Sequence, residues 1–526
     1  MRPFAIFTGK NLEKMIINVN SAKCIGTEAV AVTVEVNVGP GIGIHLVGLA
    51  DAAVRESLLR TTTALQSLGF RIPGKKIVIN LAPADMHKKG SGYDLPIAAG
   101  IIAASGQACL DAAERFVIMG ELGLDGSVRD VPGALPIAEY AAKNGFAGCV
   151  LPAGSAAEAA EYHGITVYGV ETLTDAIRIL SGESACGDLI AKPRSRASGG
   201  VSCEDAMDFA DIFGQESAKR GLEVAAAGGH NALLIGPPGT GKSSLAKAAA
   251  NLLPPLSAEE SFQTSKIYSV SGKGDRGGGL IRRPPFRAPH YSISVAALIG
   301  GGSDNISPGE ISLAHNGILF LDEFCELPKK TAEALRAPVE DKKVTISRMK
   351  MKVEYPASFM LIAATNPCPC GYYGDGDRCV CTPGRRAAYM SRLSGPITDR
   401  IDIHLWLSPV DAGKIVRRHK EEPGAAVAER IAKAREIQKR RFAGLGIFTN
   451  AAMSGKMLEE FCRLDDKGRM FLEKTINRTG LSARACDRIL KLARTIADLE
   501  GAQSVLTKHL SEAAGYRLLD RPEMFL

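Results

Sequence analysis

The sequence predicts an α/β chain of more than one domain: an α+β N-terminal segment, a central P-loop core on a parallel sheet, and a helical C-terminal segment. Three observations carry that expectation. At 526 residues the chain exceeds what one hydrophobic core usually supports. A complete phosphate-loop motif, Gly236-Pro237-Pro238-Gly239-Thr240-Gly241-Lys242-Ser243, follows an apolar strand-like run and opens a helix-like one. Beyond about residue 410 the apolar residues recur at three- and four-residue spacing, the period of amphipathic helices.

Taken in order, Val30, Val32, Val34, Val36 and Val38 alternate with smaller or polar residues, a period of two that suits a half-buried strand. KIVINLAP (76–83) reads as a second strand and LPIAAGIIAASG (95–106) as a buried helix rich in small residues. A weaker strand-and-helix pattern continues through GCVLPAGS and GITVYGVETLTDAIRIL. The stretch 181–200 is rich in Gly, Ser and basic residues, without periodicity, and reads as a linker. HNALLI, GILFLDE and FMLIAATN are short apolar runs bounded by turn residues, as buried parallel strands are. AAVAERIAKAREIQKRR, ACDRILKLARTIADLE and TKHLSEAAGYR read as helices. The expected boundaries are 1–182, a linker at 183–204, a core at 205–410 and a helical domain at 411–526.

Charge adds little. The excess of +7, from 64 basic and 57 acidic residues, is mild for this length, so any case for nucleic acid must rest on local clusters. No stretch has the roughly 18 consecutive apolar residues of a spanning helix, and no apolar run follows the N-terminus as in a secretory signal. The expectation is a cytoplasmic protein without a membrane partner. Eight of the 12 cysteines are scattered singly, as in a reducing compartment, whereas Cys368, Cys370, Cys379 and Cys381 sit together.

The motif at 236–243 states its own chemistry. Its glycines let the backbone curl so that successive N–H groups face phosphate oxygens, and the helix beginning at Ser243 and Ser244 adds its dipole. Lys242 is expected to pair with the β- and γ-phosphates of ATP, and the Ser243 hydroxyl to ligate magnesium (Mg2+). GILFLDE ends in two carboxylates: Asp322 is expected to hold the magnesium through its water shell, and Glu323 to polarise the attacking water. Asn366, at the carboxyl end of a third strand, stands where ligands bind in open α/β sheets, although Asn before Pro367 is also a good turn former.

These residues, with the words APADMHKKGSGYDLPIAAGIIAASG, GPPGTGKSSLAK, PFRAPH, PGEISLAHNGILFLDE, ATNPCPCGYYG, SGPITDRIDIH and LSARACDRILKLARTIADLEG, resemble the YifB/ComM family of magnesium-chelatase-like AAA+ ATPases. The resemblance runs through nearly the whole chain. Two departures are Tyr291, where the family has a second His after PFRAPH, and the ATN triplet, often AMN; neither touches the phosphate chemistry. The resemblance implies an N-terminal Lon-protease-like domain, a central AAA+ core, a C-terminal helical lid and a homo-hexameric ring with ATP at subunit boundaries. It implies that Asn366 is the sensor-1 residue, Arg400 the arginine finger reaching a neighbour's γ-phosphate, and Arg484 the sensor-2 arginine.

Likeness to Lon raises the question of a Ser/Lys dyad, which needs a nucleophile within reach of a base. The alignment puts Asp94, not Ser91, at the serine position, and VPGALPIAEY (131–140) holds no lysine at the other. An interaction or assembly module is expected instead of a peptidase.

Two further features stay open in the sequence. Cys368, Cys370, Cys379 and Cys381 could give four thiolates to a structural zinc (Zn2+), or be four unliganded thiols in an exposed loop. DKKVTISRMKMKVEYP reads as a β-hairpin whose Arg348, Lys350 and Lys352, with Lys342 and Lys343, could contact DNA phosphates without reading sequence, or could simply be solvated. A second basic segment, Arg282, Arg283 and Arg287, follows the glycine-rich stretch 272–279. The leading expectation is a hexameric ATP-dependent DNA translocase or helicase promoting branch migration in homologous recombination, as in natural transformation. The rival is a chelatase-type ATPase that remodels a partner protein without nucleic acid. A nucleotide-switched scaffold is disfavoured by the intact Glu323.

Overall fold

The computed structural model describes residues 16–49, 51–88, 90–183, 186–193, 207–273, 279–302, 306–348, 351–393, 395–410 and 421–520. They divide into two compact units, Met1–Gly199 with Ser265–Ile281, and Gly200–Thr264 with Arg282–Leu526.

In the first unit, Ile17–Ile25 turns through Gly26, at φ 64°, and returns as Glu28–Gly39, which pairs antiparallel with Lys76–Ala82; Gly43–Val47 adds a parallel edge. The valine alternation works as its period demands: Val32, Val34 and Val36 are buried while their neighbours are not. The helix Asp94–Ala104 covers that face closely, because a Cβ on Gly100 would stand 2.5 Å from Val36. A second sheet, all parallel, is made of Phe116–Ile118, Gly148–Pro152 and Thr166–Val170.

Two segments differ from the expected boundaries. Within the span read as linker, residues 187–191 pack on the last of those strands, with Ala191 N donating to Val167 O at 2.8 Å. Residues 265–281, inside the span read as core, belong to the first unit. Lys266 there pairs with Glu28 and Glu139, each at 2.8 Å, and Gly133 N donates to Ser269 O at 3.0 Å.

In the second unit five strands lie parallel in the order Phe286–Arg287, Ile318–Leu321, Met360–Thr365, Ala232–Ile235, Ile403–Trp406. The central three are almost wholly apolar because helices cover both faces, which is why they read as continuous runs. The hairpin expected before the Asn366 strand is present as Lys343–Arg348 and Met351–Pro356. The C-terminal helices Gly424–Arg441, Asp466–Thr479, Ala483–Leu499 and Thr507–Gly515 keep only a small cluster of their own, Phe442, Met453, Leu458 and Cys462, and otherwise share the core of the sheet. Ile431, Leu492, Ile496 and Leu510 join one apolar cluster with Leu234, Ile362 and Leu405 of the sheet. Among the described residues no helix is long and apolar enough to cross a membrane.

Candidate functional site

In a parallel sheet all carboxyl ends fall on one edge, so three sequence-distant motifs meet there. Gly236 leaves the strand Ala232–Ile235 with no room for a side chain, since a Cβ would stand 2.6 Å from Leu407 O. Gly239 and Gly241 take φ of 80° and 87°, conformations that carry the loop back over itself. Thr240 Oγ1 closes it on Pro237 O at 2.8 Å. The helix Lys242–Leu252 starts from Gly241 without a side-chain cap, leaving its first N–H groups for an anion.

Lys242 is buried, and its ammonium donates to Gly236 O at 2.6 Å, Pro237 O at 2.9 Å and Asn366 Oδ1 at 3.2 Å. Burial pushes its pKa below the ordinary lysine value, with Asp322 and Glu323 pulling the other way. Ser243 Oγ donates to Asp322 Oδ2 at 2.7 Å, so the two groups that would hold a magnesium ion face each other; half-buried Ser244 follows on the same turn. Glu323 takes a left-handed conformation at φ 49°, its N–H bonded to Asp322 Oδ1 at 2.9 Å, and its side chain is exposed. The structure thus brings the four residues together as two adjacent bonded pairs, Lys242–Asn366 and Ser243–Asp322.

Sequence reading missed Gln215. At φ 61° it turns its amide onto Thr240 O (3.3 Å) and Ser408 O (2.7 Å), tying the loop to the end of the neighbouring strand. Its partners lie 25 and 193 residues away, so no local spacing points to it.

The amino edge of the sheet holds Arg400. Its carbonyl accepts from Asn231 Nδ2 at 3.0 Å and its guanidinium pairs with Glu340. The strand Ala232–Ile235, about 13 Å long, separates this edge from the phosphate loop of the same chain, so the two are not brought together. Asp402 is almost enclosed beside it, accepting from Asn231 N (3.1 Å) and Arg488 Nη1 (2.7 Å), with His230 Nδ1 at 3.4 Å. Burial holds His230 below the ordinary histidine range against the pull of Asp402. Arg484 is exposed in the first turn of Ala483–Leu499.

The four cysteines converge. Cys368 Sγ lies 3.3 Å from Cys370 and 3.8 Å from Cys379, Cys370 lies 3.7 Å from Cys379, and all four sulfurs fall within 4.8 Å of one another. A disulfide needs about 2.05 Å, whereas tetrahedral zinc with bonds of about 2.3 Å sets sulfur–sulfur edges near ~3.8 Å. The donor set and its spacing therefore fit a closed zinc site. The Tyr372 N–H pulls Cys370 down to about 6, and burial pushes Cys368 up to about 12. The knuckle also leans on the nucleotide edge: a Cβ on Gly371 would stand 3.1 Å from Pro238, and one on Gly374 2.9 Å from Trp406. The Arg386 guanidinium stacks 4.3 Å above Tyr373.

On the hairpin, Val344, Ile346, Val353 and Tyr355 turn inward while Lys343, Thr345, Arg348, Lys352 and Glu354 are exposed. Glu354 pairs with both Lys343 (3.1 Å) and Lys352 (3.6 Å), so part of the basic charge is already answered. Lys350 lies outside the described residues.

In the first unit Asp94 is fully enclosed and bonded to Arg60 Nε at 2.9 Å and Leu122 N at 3.2 Å. Ser91 is paired with Glu121, and Lys88 donates to Pro83 O.

Three family models describing the ChlI subunit of magnesium chelatase match the chain. They are magnesium chelatase, subunit ChlI, over 208–415, subunit ChlI of Mg-chelatase over 34–155, and the ChlI C-terminal model over 421–517. YifB of Salmonella typhimurium is 42% identical over 96% of this chain and 97% of its own. Competence protein ComM of Haemophilus influenzae is 41% identical over the same shares. The magnesium-chelatase 38 kDa subunit of Chlorobaculum parvum is 23% identical over 60% of this chain and 91% of its own. With identity above two-fifths along nearly all of both chains, and a phosphate loop bonded to Asp322 and Asn366 in a parallel sheet, the chain belongs to the YifB/ComM family of magnesium-chelatase-like AAA+ proteins.

Proposed function

We propose that the chain is a hexameric ring ATPase that uses hydrolysis to move along DNA, driving branch migration of recombining strands. The observation that carries the hydrolytic part is the two adjacent bonded pairs Lys242–Asn366 and Ser243–Asp322 with Glu323 beside them. On binding MgATP, Lys242 exchanges its carbonyl partners for β- and γ-phosphate oxygens, which the first N–H groups of the helix also receive. Ser243 and Asp322 hold the magnesium, Glu323 polarises the attacking water, and Asn366 orients it toward the γ-phosphate. Arg400, remote from its own loop, stabilises transition-state charge on a neighbour's nucleotide, so hydrolysis depends on assembly. Arg484 senses the bound nucleotide from the C-terminal helices. Cys368, Cys370, Cys379 and Cys381 hold a structural zinc that stiffens the turn after Asn366.

The DNA part rests on less: the exposed Arg348 and Lys352 of the hairpin and the likeness to a protein named for competence. The chelatase-type alternative, remodelling of a partner protein, is favoured by the Glu354 pairing of Lys343 and Lys352 and by the chelatase family matches. ATPase rate against single-stranded, duplex and branched DNA decides between them. Stimulation by DNA, with branched substrates resolved only when ATP is hydrolysed, supports the translocase; a rate indifferent to every DNA sinks it. In the same assay Glu323→Gln should keep ATP and rings but lose turnover, and unchanged hydrolysis would refute its assigned role.

A further inference from the structure

Arg400 stands three residues before the strand Ile403–Trp406, and the segment around it is held by unusually explicit bonds. Asn231, at the head of the strand that leads to the phosphate loop, bonds both Arg400 O and the Asp402 carboxylate, and accepts from Leu361 N at 2.8 Å. Further ties come from the C-terminal segment. Arg488 Nη1 reaches Asp402 Oδ1 at 2.7 Å, and Arg517 Nη1 reaches Ile401 O at 2.6 Å. His230, facing the same carboxylate, bonds Thr495 Oγ1 at 2.8 Å. Arg488 and Thr495 belong to one helix, Ala483–Leu499, which is therefore pinned to this edge at two points about two turns apart. Arg484 stands one turn before Arg488 on the same helical face.

We infer that Asp402 and Arg488 are positioning residues for Arg400: their ion pair fixes the segment carrying Arg400 to the helix Ala483–Leu499. This rests on the ring ATPase reading, in which Arg400 acts on a neighbouring subunit. An enclosed carboxylate needs its partner, because breaking a buried pair leaves an uncompensated charge. The Arg400 segment must therefore travel with the helix or lose the charged one of its anchors, leaving only Asn231 and the neighbouring carbonyl bonds. The helix carries Arg484 one turn away, so the state sensed there is transmitted to the neighbour's site chiefly through the Asp402–Arg488 ion pair, with the Thr495–His230 bond as a second tie. Arg488 touches no substrate in this account; it acts through Asp402.

Subunit mixing with the full chain tests it. Arg488→Ala should bind ATP as the parent does and hydrolyse it at least about tenfold more slowly, with Arg488→Lys recovering part of the rate. Lys242→Ala should be inactive through its own broken loop while keeping a well-placed Arg400. Mixed in equal amounts, the two inactive proteins should regain up to about a quarter of parental turnover, the share of interfaces pairing an intact loop with a seated Arg400. Parental turnover by Arg488→Ala overturns the inference. So does failure of that mixture to recover while Arg400→Ala with Lys242→Ala recovers, because the defect would then lie in Arg488's own subunit. If the Arg400→Ala mixture also stays inactive, the assignment of Arg400 itself falls, which separates the two failures. Should Arg488→Ala not fold, as read by circular dichroism, Arg488→Gln takes its place with the same expectations.

Discussion

Lys88 and Lys242 are both buried lysines that donate to main-chain carbonyls, and burial lowers both pKa values. They differ in what could replace those carbonyls. Lys88 is wholly enclosed, bonded to Pro83 O, with Asp85 the charge that pulls its pKa back up. Lys242 lies under a loop of left-handed glycines, beside an uncapped helix start, a hydroxyl–carboxylate pair and the exposed Glu323. On the proposed function its partners would be exchanged for phosphate oxygens, which keeps the ammonium itself paired. A buried cation is thus no sign of chemistry by itself; exchangeable partners are. The same contrast separates the two acid sites, since Asp94 spends its oxygens on Arg60 and Leu122 N.

The comparison breaks most sharply by substitution at the two lysines. Lys242→Met should cut ATP turnover by about 10³-fold or more, while Lys88→Met should stay within about twofold, measured as phosphate release. Equal losses would erase the distinction. Next in size, Arg60→Ala should cost the first unit about 3 kcal/mol, because it leaves Asp94 enclosed and unpaired, while nucleotide turnover holds. Burial already outweighs Arg60 and keeps the Asp94 carboxyl above its ordinary value. The folded state therefore binds a proton more readily than the unfolded chain, and the loss should grow as pH rises through the Asp94 pKa. A melting shift that is flat with pH would count against this. Smaller still, Cys368→Ser should lower bound zinc from one per chain, measured by metal analysis after dialysis, and slow turnover several-fold by loosening the turn behind Pro238 and Asn366. A parent chain free of zinc ends the metal assignment. The least effect is expected on the hairpin, where Lys352→Ala should lower the salt slope of DNA binding by about 1 and leave basal turnover alone.

What could be read from sequence follows the range of each interaction. The phosphate loop and the Asp322–Glu323 strand are short words with their own chemistry, and the valine alternation around Val34 is a local period. Asn366 was placed by its strand end, but its bond to Lys242 spans 124 residues and needed the sheet order. The Asp402–Arg488–His230 set is assembled across 86 and 172 positions from single polar residues, and no spacing marks it. The linker reading missed residues 187–191 because composition, not pairing, suggested it. The hairpin was legible; its neutralisation was not, since only the register, with Thr345 opposite Glu354, brings that acid between Lys343 and Lys352.

The placing of the phosphate loop and Arg400 on opposite edges of one parallel sheet has a consequence in symmetry. A twofold axis would complete both sites only if one self-complementary patch held both the loop and Arg400, which lie at opposite ends of the strands. If Arg400 serves a neighbour, as proposed, the contact would join two different surfaces head to tail, and each added chain would finish one site and open another. An open row then always ends in an orphan loop at one side and an idle arginine at the other. On the proposed role of Arg400, only closure would remove both, and the count of working sites would itself favour a closed assembly over an open one.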